Sequence, residues 1–211
     1  MSRSSTPARR LAAVATTAAL LAAGLLTGTA TAGATGSSGG SVDFPRFDPD
    51  LQRLDTATVD NVTVTREVVG PNVGTEGEQV TFRTTFAATG APDRLITRID
   101  DQDPFPAASP SAEITYTKAN GDRATETVTS TPNGAGIYVA AGAGWPITGA
   151  GATVVLEVTY TWYRTEKQAV TGDVQGTGVI ADISGLGTQD FRSMKAQTRC
   201  VGCDWGFITG G

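Results

Sequence analysis

The amino-acid sequence predicts an all-β fold, an antiparallel β-sandwich of about seven or eight strands. Apolar and polar residues alternate with a period of two in several segments, as they do in half-buried strands. Threonine, valine and glycine dominate these segments and suit short twisted strands with tight turns. Turn-forming residues separate the segments at short intervals, which is the pattern of two packed antiparallel sheets.

The first two predicted strands show the alternation clearly. The segment 61–69, NVTVTREVV, places Arg66 on the same side as three valines, Val62, Val64 and Val68. The segment 78–89, EQVTFRTTFAAT, has an apolar face and a polar face. The apolar face carries Val80, Phe82, Phe86 and Ala88, and the polar face carries Thr81, Arg83, Thr85 and Thr89.

A hairpin and three further strands follow. Asn120 and Gly121 both tolerate positive φ, so they predict a tight turn between the segments 112–118 and 123–129. Short strands are expected in 136–142 and 176–185. The longest strand is expected near 153–163, with an apolar face formed by Val154, Leu156, Val158, Tyr160 and Trp162. Trp162 is therefore expected in the core between the sheets.

The N-terminal region predicts export. Its first ten residues carry three arginines and no acid, and an uncharged apolar stretch follows from Leu11 to Leu26. Ala30-Thr31-Ala32 has the small-x-small form of a cleavage site, so residues 1–32 form a predicted secretory signal peptide. The apolar stretch is short for a membrane span, although an uncleaved anchor is the alternative. The mature protein is expected to be secreted, either extracellular or loosely associated with the cell wall.

Composition divides the mature chain into three parts. Residues 33–56 are rich in glycine and serine and then carry prolines, which predicts a linker and a short leading segment. Residues 57–190 carry the alternating segments and are assigned to the sandwich. Residues 191–211 hold both cysteines and are assigned to a C-terminal tail.

Charge and residue types exclude several functions. The full chain has a net charge of −5, and loss of the arginines in the signal peptide makes the mature part more acidic. An acidic protein is unsuited to nucleic-acid phosphates and to anionic lipid, so neither a nucleic acid nor a membrane is an expected partner after cleavage. The chain contains no histidine, which excludes Ser-His-Asp and Cys-His catalysis. No cofactor is expected.

Part of the sandwich resembles the immunoglobulin-like repeat domains of bacterial, notably actinobacterial, secreted and cell-surface proteins. Three motifs over roughly 60–165 carry the resemblance. They are GEQVTF followed by a threonine-rich run, a D-x-x-P bend with Asp100, Asp103 and Pro104 as counterparts, and a tryptophan-bearing stretch leading to VLEVTY. The resemblance implies a structural, spacer or adhesive role and no fixed site. Those domains usually occur in tandem, whereas this chain has one copy.

Two sets of charged residues are candidates for binding or cross-linking. Asp100, Asp101 and Asp103 offer the carboxylate oxygens that calcium prefers, but their spacing is not that of an EF-hand loop, and a solvated loop is the simpler interpretation. Lys118 is a candidate for a covalent bond to Asn or Asp inside the sandwich. It lies beside the predicted turn, where a lysine normally reaches solvent.

The two cysteines, Cys200 and Cys203, are expected to form a local disulfide. Export places both thiols in an oxidising compartment, and an even number leaves neither unpaired. Zinc would need further ligands that a chain without histidine supplies poorly, so no metal is assigned to them. A bridge between two chains is the remaining competitor.

The function expected from the sequence is that of a non-catalytic extracellular or cell-envelope protein, structural or partner-binding. Its partner is an unidentified envelope protein or polysaccharide. The alternative is a carbohydrate- or cell-wall-binding module in which Trp205, expected to be exposed beside the cysteines, contacts the ligand. A glycoside hydrolase that uses a pair of carboxylates stays open as a further alternative, because such pairs meet in space and not in sequence.

Overall fold

The structure of the chain is a computed structural model, and every residue it describes belongs to the unit Val42–Gly211. The described residues are 45–102, 110–118, 120–128, 131–132, 136–162 and 174–201, with side chains left out for 131–132 and 174–176. The predicted signal peptide, 1–32, lies outside them.

The described residues form fourteen β-strands. They are β1 (Leu54–Val59), β2 (Val62–Val69), β3 (Val73–Gly74), β4 (Gln79–Ala88), β5 (Arg94–Gln102), β6 (Ser111–Thr117), β7 (Arg123–Thr127), β8 (Thr131–Pro132), β9 (Gly136–Ile147), β10 (Thr153–Thr161), β11 (Val174–Thr177), β12 (Val179–Ile183), β13 (Gly187–Asp190) and β14 (Ala196–Cys200). None of the described segments is a helix long and apolar enough to cross a membrane. The predicted all-β class is confirmed. The strands outnumber the seven or eight expected, partly because β3, β8, β11 and β13 have only two to four residues each.

The strands form two large sheets and one small sheet. The six-stranded sheet has the order β1-β2-β4-β10-β6-β7, and the five-stranded sheet has the order β13-β12-β5-β9-β8. Every neighbouring pair in these two sheets is antiparallel. Their inner faces share one apolar core, which makes the pair a sandwich. The small sheet, β11-β14-β3, contains a parallel pair between β14 and β3.

The core lies where the alternation of apolar and polar residues predicts it. In β2 the four residues on the predicted inner side are buried, and these include Arg66. In β4 the residues Val80, Phe82 and Phe86 are buried, and Ala88 packs against the core. Along β10 every second residue from Val154 to Tyr160 is fully buried. Burying such a side chain contributes roughly 1.5–3 kcal/mol, so these three strands supply much of the driving force for the sandwich.

The predicted hairpin is also present. Strands β6 and β7 pair antiparallel around a turn in which Gly121 has a φ of +89°. The backbone N–H of Lys118 donates to the carbonyl of Asp122 at 2.7 Å and closes the turn. The side chain of Lys118 is exposed, so it cannot form the covalent bond to Asn or Asp inside the sandwich for which it was a candidate.

Both described tryptophans belong to the core. Trp162 is 1% exposed, as predicted, and its ring lies against the backbone of β3. A Cβ atom on Gly74 would lie 1.8 Å from Cζ3 of Trp162, so only glycine allows this approach. Trp145 on β9 is 5% exposed and also lies within the core cluster.

Several strands arise where the sequence predicts none, and two of them, β5 and β14, are informative. β5 has a register shift between Ile96 and Arg98, so its buried residues Ile96 and Ile99 are three positions apart and the period of two is broken. β14 lies inside the segment 191–211 that was assigned to a tail. It is held by ladder hydrogen bonds to β11 and β3, which no local pattern in the sequence reveals.

Candidate functional site

The most extensive polar cluster in the described residues lies inside the sandwich, around the side chain of Arg66. Arg66 is 0% exposed and extends from the inner face of β2. Its Nη1 donates to Thr84 Oγ1 on β4 at 2.6 Å and to Asp101 Oδ2 on β5 at 2.6 Å. Its Nη2 donates to Asp101 Oδ1 at 3.1 Å and to Thr177 Oγ1 on β11 at 2.8 Å. The cluster therefore links strands of all three sheets.

Asp101 accepts hydrogen bonds on both carboxylate oxygens. Besides the forked contact with Arg66, its Oδ1 accepts from the hydroxyl of Tyr160 on β10 at 2.6 Å. The guanidinium carbon of Arg66 lies 4.8 Å from the ring centre of Phe82, a distance suited to a cation–π interaction. Phe82 in turn meets Tyr160 edge to face, with ring centres 6.1 Å apart.

These contacts explain how a charged pair persists in an apolar core. Removing an arginine and a carboxylate from water is costly unless their mutual attraction and further hydrogen bonds offset the loss of hydration. Here the planar guanidinium meets the carboxylate through two parallel bonds, and three hydroxyl groups satisfy further positions. Among the buried side-chain atoms of this cluster, the Nε–H of Arg66 is the one left without a hydrogen-bond partner in the described residues.

The geometry of this cluster suits a structural link better than a reaction. A catalytic acid or base must come within hydrogen-bond distance of its substrate. The side chain of Asp101 is 1% exposed and that of Arg66 is 0% exposed, so a substrate has no access to either. In the folded state the cluster joins the two large sheets and orders the side chains of the core.

The aspartates weighed for calcium are separated by the structure. Asp100 and Asp101 are neighbours in β5 and so point to opposite faces of the sheet. Asp100 accepts from Arg98 Nε at 2.7 Å and from Nη2 at 2.9 Å, while Asp101 faces the core. Asp103 lies outside the described residues. The simpler interpretation of a solvated loop is wrong for Asp101, because that part of the segment is a buried strand.

The cysteine segment is described only in part. Cys200 ends β14 and is 5% exposed, and the next residue, Val201, donates its N–H to the carbonyl of Gly74 at 2.8 Å. A cavity of about 340 Å³ opens beside this point; it is lined by Pro45, Phe47, Asp48, Pro49, Val73, Arg199 and Val201. Cys203 and Trp205 lie outside the described residues, so the disulfide and the ligand contact of Trp205 stay predictions.

The sequence held a sign of the buried cluster that its functional interpretation did not use. Arg66 shares a face with three valines, and an arginine on such a face needs a buried partner. The alternation therefore pointed to an internal ion pair. It did not identify Asp101, which lies on the opposite sheet and in a strand whose period is broken by the register shift.

Comparisons with known proteins find only weak similarity to solved structures. No family model matches the chain, and no curated protein matches it. One similar solved structure is AvmM, described as catalysing macrocyclization in alchivemycin A biosynthesis; it is 10% identical over 68% of this chain and 90% of that chain, with a TM-score of 0.36. Another is the serine-rich repeat adhesion glycoprotein Srr1 from Streptococcus agalactiae, 13% identical over 65% and 48% of the two chains, with a TM-score of 0.32. At such low similarity neither structure bears on the function of this chain.

Proposed function

We propose that the chain is a secreted, non-catalytic module of the bacterial cell envelope, immunoglobulin-like in fold, with a structural or partner-binding role. The observation that carries the proposal is the position of the Arg66–Asp101 cluster. The richest set of polar side chains in the described residues is buried where it joins sheets and is closed to substrate.

Two further observations support this role. The resemblance to bacterial immunoglobulin-like repeats implies a spacer or adhesive module, and the signal peptide that the sequence predicts would direct the chain out of the cytoplasm. A module in that environment benefits from sheets that are joined by a specific buried pair, because the pair favours one packing of the sheets over others.

The test combines location, binding and turnover. The protein is purified from the culture medium of the bacterium that makes it, and its N-terminus is sequenced, with a start at or near Gly33 expected. It is then incubated with an envelope preparation, and the sediment and the released products are analysed by immunoblot and mass spectrometry. Saturable retention without product formation is expected, with heat-denatured protein as the control.

Two outcomes would change the conclusion. Release of glycan fragments that persists through repurification and disappears when a pair of carboxylates is replaced would establish the hydrolase alternative. Retention by a neutral polysaccharide that is lost in Trp205→Ala would establish the carbohydrate-binding alternative in which that residue contacts the ligand.

A further inference from the structure

A second cavity lies at one end of the sandwich, between the turn of the β6–β7 hairpin and the loop that joins β9 to β10. Its volume is about 550 Å³, within the range of small-molecule sites. It is lined by Thr117, Lys118, Gly121, Arg123, Pro146, Thr148, Ala150, Gly151 and Ala152, and we call it the hairpin groove.

Two cations line the hairpin groove, and neither has a side-chain partner among the described residues. Neither Lys118 nor Arg123 forms an ion pair or a side-chain hydrogen bond within the described part of the chain. Every other arginine there does form one, whether with a carboxylate or with a carbonyl. Both groove cations are exposed, so they are accessible to a ligand.

The register of the hairpin explains why the two cations lie near one groove. Arg123 is the cross-strand partner of Thr117, and Lys118 follows Thr117 directly. The nearest acid in sequence, Asp122, does not line the groove. Its Oδ2 accepts from Asn120 Nδ2 at 2.8 Å, and its N–H donates to Asn120 Oδ1 at 3.1 Å.

We propose that the hairpin groove binds an anionic polysaccharide of the cell envelope through Lys118 and Arg123. The guanidinium of Arg123 matches the two oxygens of a carboxylate or a phosphate, and Lys118 supplies a point charge. In a protein whose net charge is −5, two cations at one groove, with no side-chain partner among the described residues, are a local exception that favours an anionic ligand.

The rest of the lining favours a sugar chain over an acidic peptide. Peptide partners are usually anchored by large side chains in apolar pockets, and the lining has no aromatic or long aliphatic residue. It offers the hydroxyl groups of Thr117 and Thr148 beside small residues that leave room for a pyranose ring. The inference rests on the proposed function, because it names the partner chemistry of that same extracellular module.

The experiment measures binding of the full mature protein to three polymers by isothermal titration calorimetry. Polygalacturonate offers carboxylates, a poly(glycerol phosphate) offers phosphodiesters, and dextran is the neutral control. Saturable binding to at least one anionic polymer and none to dextran is expected. Which anionic polymer binds distinguishes the two sources of charge. Binding should weaken as the salt rises from about 0.05 M to about 0.5 M, because exposed charges are screened.

The variants assign the binding to the groove. The double variant Lys118→Ala/Arg123→Ala is expected to bind about ten- to a hundredfold more weakly, since it removes charge-assisted hydrogen bonds. Lys195→Ala is the matched control: Lys195 is also exposed, is in the loop before β14 and does not line the groove. Both substituted positions of the double variant are exposed, and its melting temperature verifies that it folds as the parent does.

Three results would overturn the groove assignment: no saturable binding to either anionic polymer, equal binding to dextran, or an equal loss in Lys195→Ala. Each leaves the proposed function standing if the protein is still retained by the envelope without turnover. Glycan turnover would instead remove the proposed function, whatever the variants do.

Discussion

Arg66 and Arg83 lie on neighbouring strands of the six-stranded sheet but on opposite faces. Arg66 on β2 points into the core, where it meets Asp101 across the sandwich at 2.6 Å with both side chains almost fully buried. Arg83 on β4 points outward, with 38% of its side chain exposed, and bridges Glu67 and Glu157 at 2.8 and 2.6 Å. Each arginine contacts carboxylates at similar distances, so the surroundings and not the geometry distinguish them.

The difference shows what burial does to an ion pair. The outer residues face each other in one row across β2, β4 and β10. The pKa of Arg83 is raised: partial burial opposes its charged form, but the hydrogen bonds to Glu157 and Glu67 outweigh this. Such exposed pairs contribute about 0–1 kcal/mol, because water competes for both partners. The inner pair is excluded from water, so removing one partner leaves the other as a buried charge without a counter-charge.

The largest effect is expected for Asp101→Asn. It should lower the free energy of unfolding by about 3–5 kcal/mol, because the charge of Arg66 stays buried without its counter-charge. Urea denaturation followed by circular dichroism measures the loss. Asp100→Asn is the matched control, since Asp100 is the adjacent residue on the other face of β5 and pairs with the half-exposed Arg98. Its cost should be about 1 kcal/mol or less.

A double variant keeps this comparison informative if Asp101→Asn does not fold. Arg66→Met/Asp101→Leu removes both charges together, and such apolar replacements are often neutral or stabilising. The double variant is expected to unfold at a higher urea concentration than Asp101→Asn. Equal losses in Asp101→Asn and Asp100→Asn would contradict the distinction between the two faces.

Trp162→Ala measures how much one large apolar side chain in the same core contributes to the free energy of unfolding. The ring is 1% exposed and packs against Gly74, so its removal leaves a cavity and should cost about 3–5 kcal/mol. Comparing this loss with that of Asp101→Asn shows whether the buried ion pair contributes as much to the free energy of unfolding as a large aromatic side chain does. A change under about 0.5 kcal/mol in urea melts, as at an ordinary surface position, would show that the ring is not part of the core.

The sequence predicted the inner face of the six-stranded sheet because three of its strands alternate without interruption. In β2, β4 and β10 the period of two identified Phe82, Tyr160 and even Arg66 as inward-facing. It missed β5, where the register shift beside Ile96 breaks the period, and with it the role of Asp101. It also missed β14, whose pairing with β3 is parallel and joins residues far apart in the chain.

The candidate sites show the same limit. The hairpin turn was predictable because Asn120 and Gly121 are local signals. The groove beside it was not, since it needs the β9–β10 loop to lie next to that turn, and this is set by the pairing of β6 with β10.

A covalent link is expected to matter less than the buried pair. The predicted disulfide between Cys200 and Cys203 closes a very short loop, so it should contribute about 2 kcal/mol or less. Cys200→Ser/Cys203→Ser is expected to keep its β-sheet circular dichroism while the residues after β14 become easier to cleave by protease. Intact-mass measurement with a thiol reagent tests the bond directly. Two reactive thiols in freshly secreted protein, or a dimer that reduction dissociates, would contradict it.

On the outer face, Arg83→Ala should lower the free energy of unfolding by about 1 kcal/mol or less. The substitution leaves Glu67 and Glu157 on adjacent strands without their shared counter-charge, so the loss should shrink as salt screens their repulsion. Urea melts at low and high salt provide the measurement. A loss as large as that of Asp101→Asn, unchanged by salt, would mean that the outer row is shielded from water in the folded protein.

The smallest effect is expected at Asp190 and Arg192, an exposed ion pair at the end of β13 and outside the six-stranded sheet. Hydrogen bonds from the side chain and the backbone N–H of Arg192 lower the pKa of Asp190 from 3.8 to about 2. Because the folded pKa lies below the ordinary value, the contribution of Asp190 to stability is complete above about pH 4 and is lost as the pH falls through about 2. Titration of the Asp190 carboxyl carbon by NMR should give a midpoint near 2 in the parent. In Arg192→Ala it should move part of the way back, because the backbone N–H still donates at 2.9 Å. A parent midpoint near the ordinary value would show that this contact does not persist in solution.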